Sequence, residues 1–364
     1  MAQLLSEIDW GDPLLPPAMD ADWEAEIKRR GGRIGEVDRR VAPSPWLREV
    51  CIALTSYRPT EMSLRLYTIG AVVTAQENSC RYCYGANRAF LKILGYSERH
   101  IVRIEREAQV AELDDRERGV VAFCRNLARS RPRPAKADRD KLVALGFSPL
   151  TVQELAFAIA MGCFYNRVAV FLACPPEQDF ERFANGMVGR LVGMTAPLMR
   201  LVEFVRRAKK PNETIDAEAL SAGPFGAVVA ALVGLGVAGN FKAALESAFT
   251  SPVLARGTKA LMFAIVARTL GCSRCEHEAC KLLLAEGFEA AAIDSAMATL
   301  TSDRIPRDEV PLLSWVRDTV HYQTADIQDK TRALTVDIGP TAALEAIGIA
   351  AMANATVRLA TLLE

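Results

Sequence analysis

Two segments of the chain carry cysteines three residues apart, Cys80-Arg81-Tyr82-Cys83 and Cys272-Ser273-Arg274-Cys275. Residues at that spacing share a helix face, so on a helix the two thiols of each pair reach one another with little rearrangement. At the first turn of a helix, free amides and the positive end of the dipole favour the thiolate, which is the reactive form. A second thiol within reach captures the sulfenic acid left by a peroxide, and the resulting disulfide is reduced by a partner. Cys80, Cys83, Cys272 and Cys275 are therefore candidate catalytic residues of a thiol peroxidase or disulfide oxidoreductase. Two other chemistries stay open. A helical pair can be two small buried hydrophobes. Four cysteines could also hold zinc, but the long stretch of chain between Cys83 and Cys272 is far from a compact finger. His100, His277 and His321 show no ligand spacing, so neither a metal nor a cofactor is expected.

The elements that must position these pairs are helices. Asn87, Phe90 and Leu94 continue the Cys80–Cys83 stripe, and Ala279 and Leu283 continue that of Cys272 and Cys275 toward Glu286. Both pairs are thus expected at the first turn of a helix that packs into the core. Cys51, Cys124, Cys163, Cys174 and Cys280 stand singly in apolar helical contexts and are expected to be core thiols, Cys280 being nearest to a pair. Ser44-Pro45 and Ser148-Pro149 read as helix starts, Asp114 with Glu117 as a capping box, and Gly95, Gly146 and Gly287 as helix stops. No segment sustains the period-two alternation of a strand.

One half of the chain lies over the other. CRYCYGANRAFLKILGY from Cys80 aligns without a gap on CSRCEHEACKLLLAEGF from Cys272, an offset of 192 (272 − 80). The same offset places Phe123 and Arg125 over Trp315 and Arg317. After a one-residue deletion Glu154 meets Glu345, Met161 meets Met352 and Arg167 meets Arg358. Three blocks in the same order predict an internal duplication. Its junction is placed near residue 185, after Pro175 and Pro176, giving units 1–185 and 186–364.

Composition agrees with an all-α protein, since half the residues are hydrophobic but only 7% are aromatic. Lys plus Arg and Asp plus Glu both number 44, so no net charge draws the chain to nucleic acid or an anionic membrane. The first residues carry acids and no basic n-region, which predicts no secretory signal and a cytoplasmic protein. In that compartment a disulfide is catalytic or redox-sensing rather than structural. The uncharged run from Ala222 to Gly239 is broken by five glycines and Pro224, and reads as a buried helix or helix pair rather than a membrane span. The basic run RRAKK at 206–210 suits a helix C-terminus and is given no functional role.

At the cysteine pairs the chain resembles the alkylhydroperoxidase D and carboxymuconolactone decarboxylase superfamily, in a tandem, two-unit form. RLYTIGAVVTAQENSCRYC and KALMFAIVARTLGCSRC have the shape of the family's core, including a tyrosine between the first two cysteines, Tyr82. The likeness covers roughly residues 43–175 and 235–364. It implies peroxiredoxin-type antioxidant activity on a hydroperoxide or disulfide substrate, with Cys83 reacting and Cys80 resolving, Cys275 and Cys272 repeating those roles. It also implies a reducing partner protein or thiol, and a homo-oligomer. The family's glutamate, twelve residues before the first cysteine, is here Thr68 and Ala260. Its relay histidine, four residues after the second cysteine, is Asn87 and Ala279. Turnover is accordingly expected to be slow, and decarboxylation, which depends on such relay groups, is not expected. The alternative is a non-catalytic helical scaffold or sensor. Glu77, more simply solvated, and Arg274 with His277 are the nearest substitutes for the relay.

Overall fold

In a computed structural model of the chain, which describes residues 3–30, 34–106, 113–195 and 216–363, every regular element among those residues is a helix. The RRAKK run lies outside the described residues. Seven helices form the body of the first half: α1 Pro45–Thr55, α2 Leu64–Glu77, α3 Arg81–Ile93, α4 Glu98–Arg106, α5 Asp115–Arg129, α6 Lys136–Ala144 and α7 Pro149–Phe171. Seven follow in the second half: α8 Ala238–Thr250, α9 Arg256–Thr269, α10 Ser273–Ala285, α11 Ala290–Thr299, α12 Pro311–Asp318, α13 Thr324–Ile338 and α14 Pro340–Leu359. Helices α2 and α3 match α9 and α10 at both ends with the offset found between the cysteine segments, and the starts of α7 and α14 keep it to within the one-residue deletion.

Local chemistry accounts for these boundaries. Ser63, Asp114 and Ser148 each cap a helix by accepting an amide hydrogen bond, from Leu66, Glu117 and Thr151. The Asp114–Glu117 box is only half made, because the Glu117 carboxylate turns to Arg65. Gly95, Gly146 and Gly287 all take positive φ beyond a helix end. Between Ala222 and Gly239 the backbone is less regular than expected: only Gly226–Ala230 is helical before α8 begins at Ala238. Its glycines favour turns over a continuous helix.

The two longest helices, α7 and α14, pack on each other at the centre, with the α2–α3 hairpin on α7 and α9, which carries α10, on α14. Both are long and apolar enough to cross a membrane by length and composition, and most of each is buried inside the structure. A continuous hydrophobic core runs through both halves.

Two buried arginines lock the halves together. Arg167 of α7 donates to the carbonyls of Thr319 (3.1 Å) and Val320 (3.0 Å) at the end of α12. Arg358 of α14 donates to the carbonyl of Ala128 (3.1 Å) in α5. Each also has a side-chain amide acceptor, supplied from different places: Asn78 after α2 for Arg167 (2.9 Å), and Asn354 on α14 itself for Arg358 (2.8 Å). The position matching Asn78 is Leu270, and the one matching Asn354 is Cys163.

A second exchange of bulk occurs where α1 meets α14. The Trp46 ring lies on Gly348, while the matching positions are Ala238 and Phe157, so the large residue has changed sides. Trp46 cannot yield, because its Nε1 donates to the buried carboxylate of Glu345 at 2.6 Å. A methyl group on Gly348 would stand 2.7 Å from the Trp46 ring. Gly348→Ala is therefore expected to lower stability by about 1–3 kcal/mol in denaturant unfolding, and an unchanged midpoint would refute this packing.

Candidate functional site

Each cysteine pair is built on the turn that joins two helices. Helix α2 ends at Glu77, Ser79 takes the left-handed conformation (φ 46°), and the Cys80 amide bonds back to the Ala75 carbonyl (3.0 Å). Helix α9 ends in the same way, with Gly271 (φ 67°) at the turn and the Cys272 amide on Ala267 (2.8 Å). Cys80 and Cys272 thereby close one helix and stand as the N-cap of the next. Cys83 and Cys275 follow in the first turn, as their spacing predicts. All four are free thiols, buried, and at most 5% exposed.

The turn of the first pair is covered by the second half. The Tyr322 hydroxyl donates to the Asn78 carbonyl (2.9 Å) and the Thr324 hydroxyl to that of Ser79 (3.1 Å). Within the same half, Tyr82 donates to Glu177 (3.0 Å), and Arg81 pairs with Glu181 (2.8 Å) of the helix Gln178–Asn185, which lies over α3. The charge of Arg133, from the segment linking α5 and α6, also acts on Cys272 of the second pair. Sequence reasoning missed Arg133, for nothing in the chain on either side of Cys272 marks it.

The neighbouring Cys275, with a smaller contribution from the charge of Arg133, outweighs burial and draws Cys272 down to about 6. Cys275 is pushed well above the usual thiol range by the neighbouring Cys272, and burial adds to the shift. In the first pair burial, with the neighbouring Cys80, likewise pushes Cys83 well up. The Cys83 amide donates to Cys80 Sγ at 3.4 Å. In both pairs it is the cysteine one turn into the helix, Cys83 or Cys275, that is pushed up.

The relay positions are closed. Thr68 is 1% exposed, with its hydroxyl on the Leu64 carbonyl (2.8 Å), and Ala260 and Ala279 are fully buried. Asn87 is half-buried on α3. Glu77 is not solvated: its side chain is 3% exposed and ion-paired with Arg125 (3.3 Å) and Arg129. His277 and Arg274 are exposed on α10, away from the paired sulfurs. His100 packs edge-on against Tyr96. The imidazole of His321 is pushed down to about 4 by burial and by Arg358, Arg167 and Arg131. Cys51, Cys124, Cys163 and Cys174 are fully buried and Cys280 partly so. Among the described residues no three His, Cys, Asp or Glu side chains are placed to hold a metal.

A cavity of about 770 Å³ opens between α1, α8 and the start of α7 and is lined by Trp46, Tyr57, Glu154, Phe157, Asn240 and Phe241 among others. Its lining includes no cysteine. No family model, curated protein or solved structure matches the chain.

Proposed function

We propose that the chain is a thiol-dependent peroxidase or disulfide oxidoreductase, a tandem relative of the alkylhydroperoxidase D-like proteins that arose by duplication of one helical unit. The observation that carries this reading is the Cys272–Cys275 pair: two free, buried thiols at the N-cap and in the first turn of a helix, with the pKa of Cys272 drawn down and that of Cys275 pushed up. The Cys272 thiolate attacks a peroxide oxygen, the O–O bond breaks, and an alcohol or water leaves after taking up a proton. Cys272 then carries a sulfenic acid. The Cys275 thiol attacks it, releasing water and closing the disulfide. A reducing protein or small thiol returns the two electrons, in a cytoplasmic setting that keeps the other cysteines reduced. Homo-oligomerisation through helix packing belongs to the same proposal.

A non-catalytic scaffold or sensor is the second reading. It is favoured by the burial of all four sulfurs and by the closed relay positions. General acid–base assistance is worth about 10²–10⁴-fold, so without it turnover is expected to be slow even where the disulfide forms.

Mass spectrometry of the purified protein, with thiol alkylation before and after a mild peroxide pulse, separates the two. The expected result is a Cys272–Cys275 disulfide first and a Cys80–Cys83 disulfide more slowly. If neither pair loses its alkylatable thiols, the oxidoreductase reading is wrong and the scaffold reading stands.

A further inference from the structure

We propose that the cavity between α1, α8 and the start of α7 is a binding site for a neutral, ring-containing organic molecule. The proposal stands apart from the thiol reading, since the lining of the cavity holds no cysteine.

Its volume of about 770 Å³ is that of a small-molecule site, a class that favours the seam between packed units. Here the seam runs between matched helices. Helix α1 of the first half packs on α8 of the second, and the offset of 192 lays Glu49 over Phe241 and Tyr57 over Phe249. Tyr57 lines the cavity, but its counterpart Phe249 packs on Phe263 with 5.1 Å between ring centres. The space is therefore not repeated in the second half, and one site per chain is expected.

An aromatic wall is already in place. Tyr57, just beyond α1, meets Phe157 of α7 edge-on with 5.8 Å between ring centres, and Phe157 meets Phe241 of α8 in the same way at 6.2 Å. Phe157 and Phe241 are buried, so this wall is fixed by the core rather than by mobile surface side chains. Trp46, held by its bond to Glu345, adds a further ring. Ring faces and edges placed this way suit a ligand that is itself a ring system.

Charge decides between ligand classes. Glu154 is in the lining, but its carboxylate is taken up by the Tyr57 hydroxyl and the amides of Thr60, Glu61 and Met62 (2.6–2.8 Å). Glu49 is paired with Arg30 (2.6 Å), and Arg30 also with Glu26 (2.5 Å). The exposed Arg58 donates back to the Tyr57 carbonyl (2.9 Å). Each of these charges is already engaged, so a charged ligand would lose water without gaining a counter-charge in exchange. The Asn240 amide, by contrast, makes no hydrogen bond among the described residues and offers one donor group and one acceptor to a neutral polar substituent.

The test uses N-phenylnaphthylamine, a neutral probe whose fluorescence rises in apolar surroundings, and anilinonaphthalene sulfonate, the same rings with an added negative charge. Both are titrated into the full-length protein and into Ala243→Phe and Ala244→Phe. Ala243 and Ala244 line the cavity from α8, and Ala243 is exposed, so a larger side chain there takes ligand space at little cost to the fold. The expected result is one neutral probe bound per chain, at least about tenfold tighter than the sulfonate. Each variant is expected to weaken the neutral probe about tenfold by filling its space, with the helical circular-dichroism signal unchanged in Ala243→Phe.

No uptake of the neutral probe, or uptake unchanged in both variants, overturns the site. Equal or tighter binding of the sulfonate overturns the neutral assignment. Uptake that falls as protein concentration rises would show a second copy of the chain covering the cavity, and overturns the proposal as well.

Discussion

Arg167→Met is expected to lower unfolding stability by about 3–5 kcal/mol. Methionine fills much of the volume but cannot donate, so the carbonyls of Thr319, Val320 and Cys163 and the Oδ1 of Asn78 all lose a partner. Arg167 is 1% exposed, so water cannot replace those bonds without opening the core. Because two of the four acceptors belong to the second half, the damage falls on the contact between halves. Arg358→Met is expected to cost less. Its guanidinium is already strained electrostatically, pushed down to about 9 by burial and by the like charge of Arg167. Removing one of two like charges relieves the other, so the two losses are expected to be less than additive in a double-mutant cycle. Denaturant unfolding of both single variants and the pair measures this. An Arg167→Met protein within about 1 kcal/mol of the parent would show that the lock contributes little.

Lys259→Met is expected to cost a similar amount, about 3–5 kcal/mol, for a different reason. Lys259 and Glu345 form an ion pair at 3.0 Å with side chains 0% and 2% exposed. Burial lowers the pKa of Lys259 and the Glu345 carboxylate opposes that shift. Its Nζ also donates to the carbonyls of Ala248 (2.8 Å) and Ser251 (2.6 Å). Truncation strands the Glu345 charge with Trp46 as its remaining donor. Adding Glu345→Gln is expected to return a large part of the loss, since the amide oxygen can still accept from Trp46 and no charge remains buried. Failure of that second substitution to restore stability in urea would mean that the loss came from packing rather than charge. The first half solves the same problem without a cation. Glu154, which matches Glu345, accepts from the Tyr57 hydroxyl and from the amides of Thr60, Glu61 and Met62.

The all-helical class and the placing of both cysteine pairs at helix starts were legible along the chain, because those features come from neighbours within a turn or two. Serine and aspartate caps, a proline at N1 and a glycine with positive φ act on the backbone beside them. The matched spacing of the cysteine segments was readable for the same reason, and it pairs the bounds of α2 and α3 with those of α9 and α10. The charge environment of the sulfurs comes from packing instead. Cys272 owes its state partly to Arg133 in the other half, and no pattern along the chain brings the two together. The same holds for Glu77, which its turn position marks as solvated but which α5 reaches with Arg125 and Arg129. Arg167 and Arg358 were visible as matched residues, yet only packing made them a lock, because their acceptors are backbone carbonyls, present at every residue and identified by position alone. Charge and hydrogen bonding act through space, so these contacts were decided by how the two halves pack.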